Sequence, residues 1–434
     1  MRDILLLAIV MAACVASVKR PWIGVMLWTW LSIMNPHRYT YGVAYHAPLA
    51  AMAFGFTLFG LLITRERSSP FKNVTVTWFT VFMVWVTLSW LFGLDVSGNF
   101  EQWKKVMKID TMVLISLILL SSRKHIVALM WVCVGSLAIL GLKGGLFTLL
   151  NGGNDRVWGP PGTFIEDNNE FALALIMTVP LLRFLQLQMP SQIGRYVLGG
   201  LILFCTGSAL GSHSRGGLLA LIGMTIVLWW RSSGKVRNGF LMVAVAVPML
   251  LFMPAHWSAR MSTIATYEED ASSMGRINAW WVAWKIALRY ISGVGFNPAT
   301  SDLFARFAPV PTDVHAAHSI YFQILGNHGF IGLALFGGIW IATWRSAGWL
   351  RTQKNLLPEA KWTADLGAMC QVALAGYAVG GAFLSLAYFD LPYNIMALVV
   401  LTRAWVEKQG WRSDSTDSPK WMTVLGLTLP KKVG

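Results

Sequence analysis

The stretch TDVHAAHSIYFQILGNHGFIGLALF, residues 312–336, places His315, His318 and His328 at the start of a long apolar run. Imidazoles do nothing to help a helix enter a bilayer, so their chemistry is the first question. A zinc site would need His315 and His318 to be joined by cysteine or acidic ligands at short range. Only Asp313 stands nearby. General-base duty suits the pair better, because imidazole is the side chain whose ordinary pKa lies nearest neutrality. His318, heading the span, is the first candidate, and His315, nearly one turn earlier, is the second. His328 reads as an interfacial or supporting polar residue.

Two arginines offer the complementary chemistry. In GSALGSHSRGGLLALIG (207–223), Arg215 lies between apolar runs and is followed by two glycines and a helix start. A guanidinium beside a helix N-terminus makes a good anion site. In SSMGRINAWWVAWKIALRYISGVGFNP (272–298), the serines are natural caps, and Ile277, Trp280, Trp281, Trp284 and Leu288 form the apolar face of a membrane-surface helix. Arg276 falls in its first turn, where the macrodipole opposes a cation. Arg289 comes thirteen residues later, about 220° around the helix and at the end that favours a cation, so it is secondary. Trp280 and Trp284 are expected to seat lipid or sugar rings. In WGPPGTFIEDNNEFALAL (158–175), Asp167, Asn168 and Asn169 read as caps, with Asn169 a further sugar-contact candidate. The acidic run at 268–270 reads as solvated. With no acidic cluster beside the arginines, neither a metal nor another cofactor is expected.

These residues need a scaffold, and the composition says which. Of the 434 residues 55% are hydrophobic and 13% charged, about half the charge of a soluble domain, and mean hydropathy is +0.55. That implies an all-α polytopic membrane protein. Apolar runs near 4–18, 21–34, 47–64, 74–93, 109–121, 126–149, 170–188, 195–211, 216–230, 240–254, 319–345, 367–388 and 391–406 predict about twelve spans. Residues 4–34 leave open whether one or two of these are present. The net charge of +15 reads as topology-setting lysine and arginine rather than nucleic-acid binding. Basic connections at 65–72, 231–237, 345–361 and 408–432 are expected inside. Alternation then puts 35–46, 94–108, 151–169, 211–217, 255–317 and 389–392 outside, with all histidines but His125. Lys104, Lys105 and Lys108 fall on the outer side against this bias and read as snorkelling from an interfacial helix. Four cysteines (Cys14, Cys133, Cys205 and Cys370) sit in apolar runs as small hydrophobes. The division expected is N-terminal spans over 1–254, an outer loop with amphipathic helix over 255–317, C-terminal spans over 318–406 and an inner tail over 407–434.

The order SRGG, GRINAWWVAWKIAL, SGVGFNP and AHSIYFQILGNHGFIGLALF, around one large outer loop, resembles the ligase/polymerase superfamily of O-antigen biosynthesis. The likeness is clearest over 200–340. The N-terminal PWIGVMLWTWLSIMNPHRYTYG is similar to a bacterial subgroup described as O-glycosylation ligases. The resemblance implies a twelve-span inner-membrane glycosyltransferase of the GT-C type with a periplasmic site. Its ligases move a glycan from undecaprenyl diphosphate to a sugar of lipid A–core. Motif by motif it assigns Arg215 and Arg276 to the diphosphate and His318 to the acceptor. Two positions depart from the pattern: Ser319 where many relatives have asparagine, and Asn327–His328 where an acidic residue is common.

The chemistry agrees. A glycosyl diphosphate already carries a good leaving group, so the protein must stabilise its charge and supply a base. Direct attack then inverts the anomeric centre. A polymerase or protein O-glycosylation ligase would use the same donor. An exporter of polysaccharide or anions would use the same charges differently, but it should show broken helices in two matched halves, and no such repeat is visible.

Overall fold

In the computed structural model, residues 2–65, 67–232, 234–353 and 360–412 are described. They form seventeen α-helices: α1 (Arg2–Lys19), α2 (Pro21–Met34), α3 (Val43–His46), α4 (Leu49–Ile63), α5 (Val74–Leu91), α6 (Phe100–Leu119), α7 (Arg123–Leu150), α8 (Asn168–Gln188), α9 (Gln192–Gly211), α10 (Arg215–Arg231), α11 (Lys235–Phe252), α12 (Ala255–Ser262), α13 (Ala271–Arg289), α14 (Ser301–Phe307), α15 (Ile320–Thr352), α16 (Lys361–Gly381) and α17 (Asp390–Glu407). Six are long and apolar enough to cross a membrane, namely α5, α7, α8, α9, α11 and α15; α2 and α4 are apolar but shorter. The fold is that of an all-helical, multi-pass membrane protein. The first thirty-four residues make two helices, broken where Pro21 follows Arg20. The inner tail expected over 407–434 lies outside the described residues from 413 onward.

Helices α8, α16 and α17 are buried along most of their length and form the centre. A helix apolar on every side is stable only inside a bundle or in lipid. Helix α11 is the lipid case: no residue of it is buried. The sequence-assigned sides gather at opposite ends. At one end the Leu94 N–H donates to the Val294 carbonyl over 3.3 Å, and the Arg260 Nε to the His213 carbonyl over 2.9 Å. At the other, the Ser68 N–H reaches the Ile118 carbonyl (3.0 Å) and the Gln188 amide reaches Asp365 (3.1 Å).

Several expected spans change length, two of them with consequences for the site. The run expected at 109–121 begins at Phe100, so the lysine-bearing segment is continuous with it rather than a separate interfacial helix. The run expected at 367–388 stops at Gly381, and 382–389 forms a loop.

Helix α15 is broken at Gly329, where φ is 68° and ψ −172°. The break frees carbonyls that nothing in a bilayer can satisfy. The loop after α13 fills that role: Val294 N–H donates to the Gly326 carbonyl (3.2 Å) and Gly295 N–H to Asn327 (3.0 Å). A Cβ on Gly329 would stand 2.1 Å from the Ile291 carbonyl oxygen. The glycines of SGVGFNP are thus packing devices for the broken span.

His328 sits at this break and is fully buried, not interfacial. Its Nδ1 lies 2.7 Å from the Ser89 Oγ and its Nε2 lies 2.7 Å from the Tyr388 hydroxyl. The Ser89 hydroxyl donates to the Ser292 carbonyl at 2.6 Å, with Asn327 O also close at 2.9 Å. The tautomer with hydrogen on Nδ1 therefore satisfies the network, with Tyr388 donating to Nε2. Both ring nitrogens are spent, so His328 has none left for an acceptor hydroxyl. His328→Ala leaves Ser89 and Tyr388 without this partner and opens a cavity, so it should cost about 3 kcal/mol of stability. Gly329→Ala should also destabilise strongly. Thermal melts of the purified variants check both; unchanged melting of either would contradict this account of the break.

Candidate active site

The large loop end gathers the functional candidates from four elements. Ser214 caps α10, its Oγ accepting from Gly217 N–H at 3.0 Å. That fixes Arg215 as the first helical residue, with its side chain turned toward the loop. The guanidinium Nη1 lies 2.8 Å from Thr263 Oγ1 and 2.8 Å from Asp270 Oδ2, and Nη2 donates to Asp270 Oδ1 at 2.9 Å. Asp270 is also the N-cap of α13, accepting from Ser273 N–H at 2.8 Å. One carboxylate thus ties Arg215 to the head of the loop helix. The Arg215 hydrogen bond holds the Asp270 carboxyl well below the usual carboxylate range against desolvation, and Ser273 adds to the effect.

Two expectations change here. The acidic run is not simply solvated, because Asp270 is paired. The serines of 272–273 are not the cap, so α13 starts earlier and Arg276 stands in its second turn. The dipole penalty that singled out Arg276 is correspondingly weaker. A different reason replaces it. Arg276 Nε is buried without a hydrogen-bond partner, and Nη1 reaches only the Phe383 carbonyl at 3.5 Å. Burial, then the charge of Arg215, pushes this guanidinium down from the ordinary arginine range, while Glu170, Asp270 and Asp167 pull it back. An arginine so placed stays charged and lacks a full set of acceptors. Arg260 belongs to the same cluster, feeling Arg156, Arg215, Asp270 and Arg276. The sequence carries no signal for Arg260, since its partners lie in other helices.

His318 stands just before α15, whose N-cap is Ser319, in a left-handed conformation with φ 42°. Such backbone is uncommon outside glycine and marks a position held by its surroundings. The Trp280 Nε1 donates to the Ala317 carbonyl at 2.6 Å, and its ring stacks on Phe322 with centroids 4.9 Å apart. Trp280 therefore braces the His318 turn rather than lying on the exposed face. Trp284 meets Phe330 edge-to-face at 5.2 Å, and remains exposed with Ile277, Trp281 and Leu288.

The residue that sequence reading missed is Glu170. Its Oε1 lies 3.7 Å from His318 Nδ1, an ion-pair distance rather than a hydrogen bond. It also accepts from Ser385 N–H at 3.2 Å, while its Oε2 is buried and unpartnered. Burial pushes the nearby Asp167 carboxyl up, but the Asn169 N–H, the Glu170 side chain and the Asn169 amide together outweigh it, and His318 adds to the lowering. Of the expected caps, Asp167 does cap α8, whereas Asn168 reaches across to the Ser212 carbonyl at 2.6 Å. The Asn169 amide is spent on Asp167 at 2.8 Å.

The remaining candidates separate. His315 Nδ1 lies 2.7 Å from Asp313 Oδ1, and its ring covers Gly275, where a Cβ would stand 2.7 Å away. Arg289, exposed at the far end of α13, lies against Tyr290 and does not join the cluster. Among the described residues no three His, Cys, Asp or Glu side chains converge as metal ligands. The site is thus two arginines, of which Arg215 is paired with Asp270 and Arg276 is under-partnered, beside an imidazole with Glu170 at ion-pair distance.

Fold and site together describe an all-helical, multi-pass membrane protein with arginine, carboxylate and imidazole side chains gathered at one end. Residues 200–337 match the family model described as O-Antigen ligase, and residues 1–188 match one described as a family of unknown function. Residues 200–337 thus carry a domain of the O-antigen ligase superfamily, which supports glycosyltransferase-like ligase or polymerase activity at that coarse level. No curated protein matches the chain. Arg215, Arg276 and His318 fall within the ligase match, whereas Glu170 is contributed by the other matched region.

Proposed function

We propose that this chain is an O-antigen ligase, a metal-independent, inverting glycosyltransferase. It moves a glycan from undecaprenyl diphosphate to a sugar hydroxyl of lipid A–core. Its setting is the periplasmic face of the bacterial inner membrane, in a GT-C-type bundle of about twelve spans. The observation that carries the reading is the convergence of Arg215, Arg276 and His318, from three separate elements, on one end of the bundle. The diphosphate oxygens sit on Arg276, which lacks a full set of acceptors, and share or displace Asp270 on Arg215. Each guanidinium stabilises charge as it grows on the leaving diphosphate, an effect of about 3 kcal/mol per donor. His318 takes the acceptor proton while the hydroxyl oxygen attacks the anomeric carbon from the face opposite the diphosphate. Glu170, on the Nδ1 side, orients the ring and stabilises the imidazolium that forms, leaving Nε2 for the acceptor.

Because guanidinium groups carry the anion, transfer should persist in excess EDTA with no added divalent ion. Purified protein, lipid-linked glycan and lipid A–core suffice for the test, with product followed by mass shift. Loss of product in EDTA, restored by Mg²⁺ or Mn²⁺, would overturn the metal-free mechanism.

A further inference from the structure

A cavity of about 430 Å³ opens at the same end of the bundle and is lined by none of Arg215, Arg276, Glu170 and His318. Its wall includes Lys104, Lys105 and Lys108 of α6, with Trp28, Phe164 and Asp390. These lysines lie at the bundle end where lysines flanking spans are ordinarily scarce. Snorkelling does not account for them, because they line a cavity between elements.

Their partners leave charge over. Lys104 is held by Glu101 at 2.5 Å. Lys105 Nζ lies 3.8 Å from the centre of the Phe164 ring and is close enough to feel the Asp390 charge. Lys108 has no hydrogen-bond, ion-pair or ring partner among the described residues. Asp390, 4% exposed, is fixed by the Ser32 hydroxyl, which donates to Oδ1 at 2.6 Å. Beside the cavity, the Nδ1 of His37 and the Nε of Arg38 are buried and unpartnered. Aromatic side chains in the wall, a fixed carboxylate and surplus ammonium groups suit a sugar bearing an anionic group. Aromatic rings cover the apolar sugar face, the carboxylate accepts from hydroxyls, and lysines act as point charges for phosphate.

We propose that this cavity is a second ligand site, taking a phosphorylated sugar of the lipid acceptor with the phosphate on Lys105 and Lys108 and a sugar hydroxyl on Asp390. The identity of the ligand as acceptor rests on the ligase reading above; the binding chemistry does not.

The test is binding to the full chain in nanodiscs, without turnover. The probes are lipid A carrying both phosphates, the same lipid with both removed, phosphatidylglycerol and inorganic phosphate. Bisphosphorylated lipid A should bind at least about tenfold more tightly than the dephosphorylated form. Lys105→Ala with Lys108→Ala should remove that preference, and Arg215→Ala with Arg276→Ala should keep it. If the alanine pair does not fold, the glutamine pair carries the same test. Equal affinity for the two lipid A forms, or a double variant that keeps the preference, would overturn the proposal. So would phosphatidylglycerol or inorganic phosphate binding as tightly as bisphosphorylated lipid A, since the sugar would then contribute nothing. Donor binding measured alongside on Arg276→Ala separates the two readings. Should that variant bind donor normally, the ligase site fails while the lysine result stands on its own.

Discussion

His318→Ala is expected to reduce transfer by about 10² to 10⁴-fold while leaving donor affinity unchanged, because a positioned base contributes that much and the diphosphate rests on arginines. The split between turnover and binding is the informative part. His318 is partly open to solvent, beside Glu170 at 3.7 Å, and its backbone is held at φ 42° by packing around the Trp280–Phe322 stack. Glu170→Gln keeps the shape but loses the charge that steadies an imidazolium, so it should also lower turnover, by less. His315→Ala should be milder, since His315 is engaged with Asp313. Turnover and donor affinity for the three variants, measured together, check this. Normal turnover in His318→Ala, or a defect confined to donor binding, would remove His318 as base and leave His315 as the next candidate.

Arg276→Ala should cost about 10² to 10³-fold in turnover, the loss associated with one preorganised donor to developing charge. Arg289→Ala, on the same helix, should be close to wild type. The contrast is sharp because both changes remove one guanidinium from α13, yet only Arg276 lies half-buried near Arg215, Glu170 and Asp270. Arg276→Lys should rescue poorly, since an ammonium cannot present the planar fork that grips two phosphate oxygens. Arg215→Ala should be comparably impaired and less stable, because Asp270 then loses its partner while still capping α13. An inactive Arg289→Ala beside a healthy Arg276→Ala would refute the clamp.

The parts of this molecule that local physics decides were legible in the residues. Apolar runs placed most helices within a few residues, and the arginine ahead of a glycine pair marked a helix start that Ser214 does cap. The histidine heading α15 stood out because no structural rule wants it there. What could not be read were partners distant in the chain. Glu170 lies 3.7 Å from His318 across 148 positions, and Asp270 looked solvated because its partner Arg215 lies on another helix. His328 looked interfacial for the same reason: Ser89 and Tyr388 come from other elements and enclose it. Trp280 shares a helical stripe with Trp284, so periodicity grouped them, and only packing on Phe322 turns one inward. Local spacing names the chemistry a residue can perform; burial and remote charge decide which residue is free to perform it.

On the proposed reading, the loop end of this bundle transfers glycan rather than conducting it. The most direct test uses proteoliposomes with lipid-linked glycan and lipid A–core together, comparing wild type with His318→Ala and scoring glycan-modified lipid A–core against glycan crossing the bilayer. Wild type should give modified acceptor and released undecaprenyl diphosphate, His318→Ala should give neither, and no glycan should cross the bilayer with either. Glycan crossing the bilayer with no modified acceptor, and a His318→Ala variant that behaves like wild type, would contradict this reading.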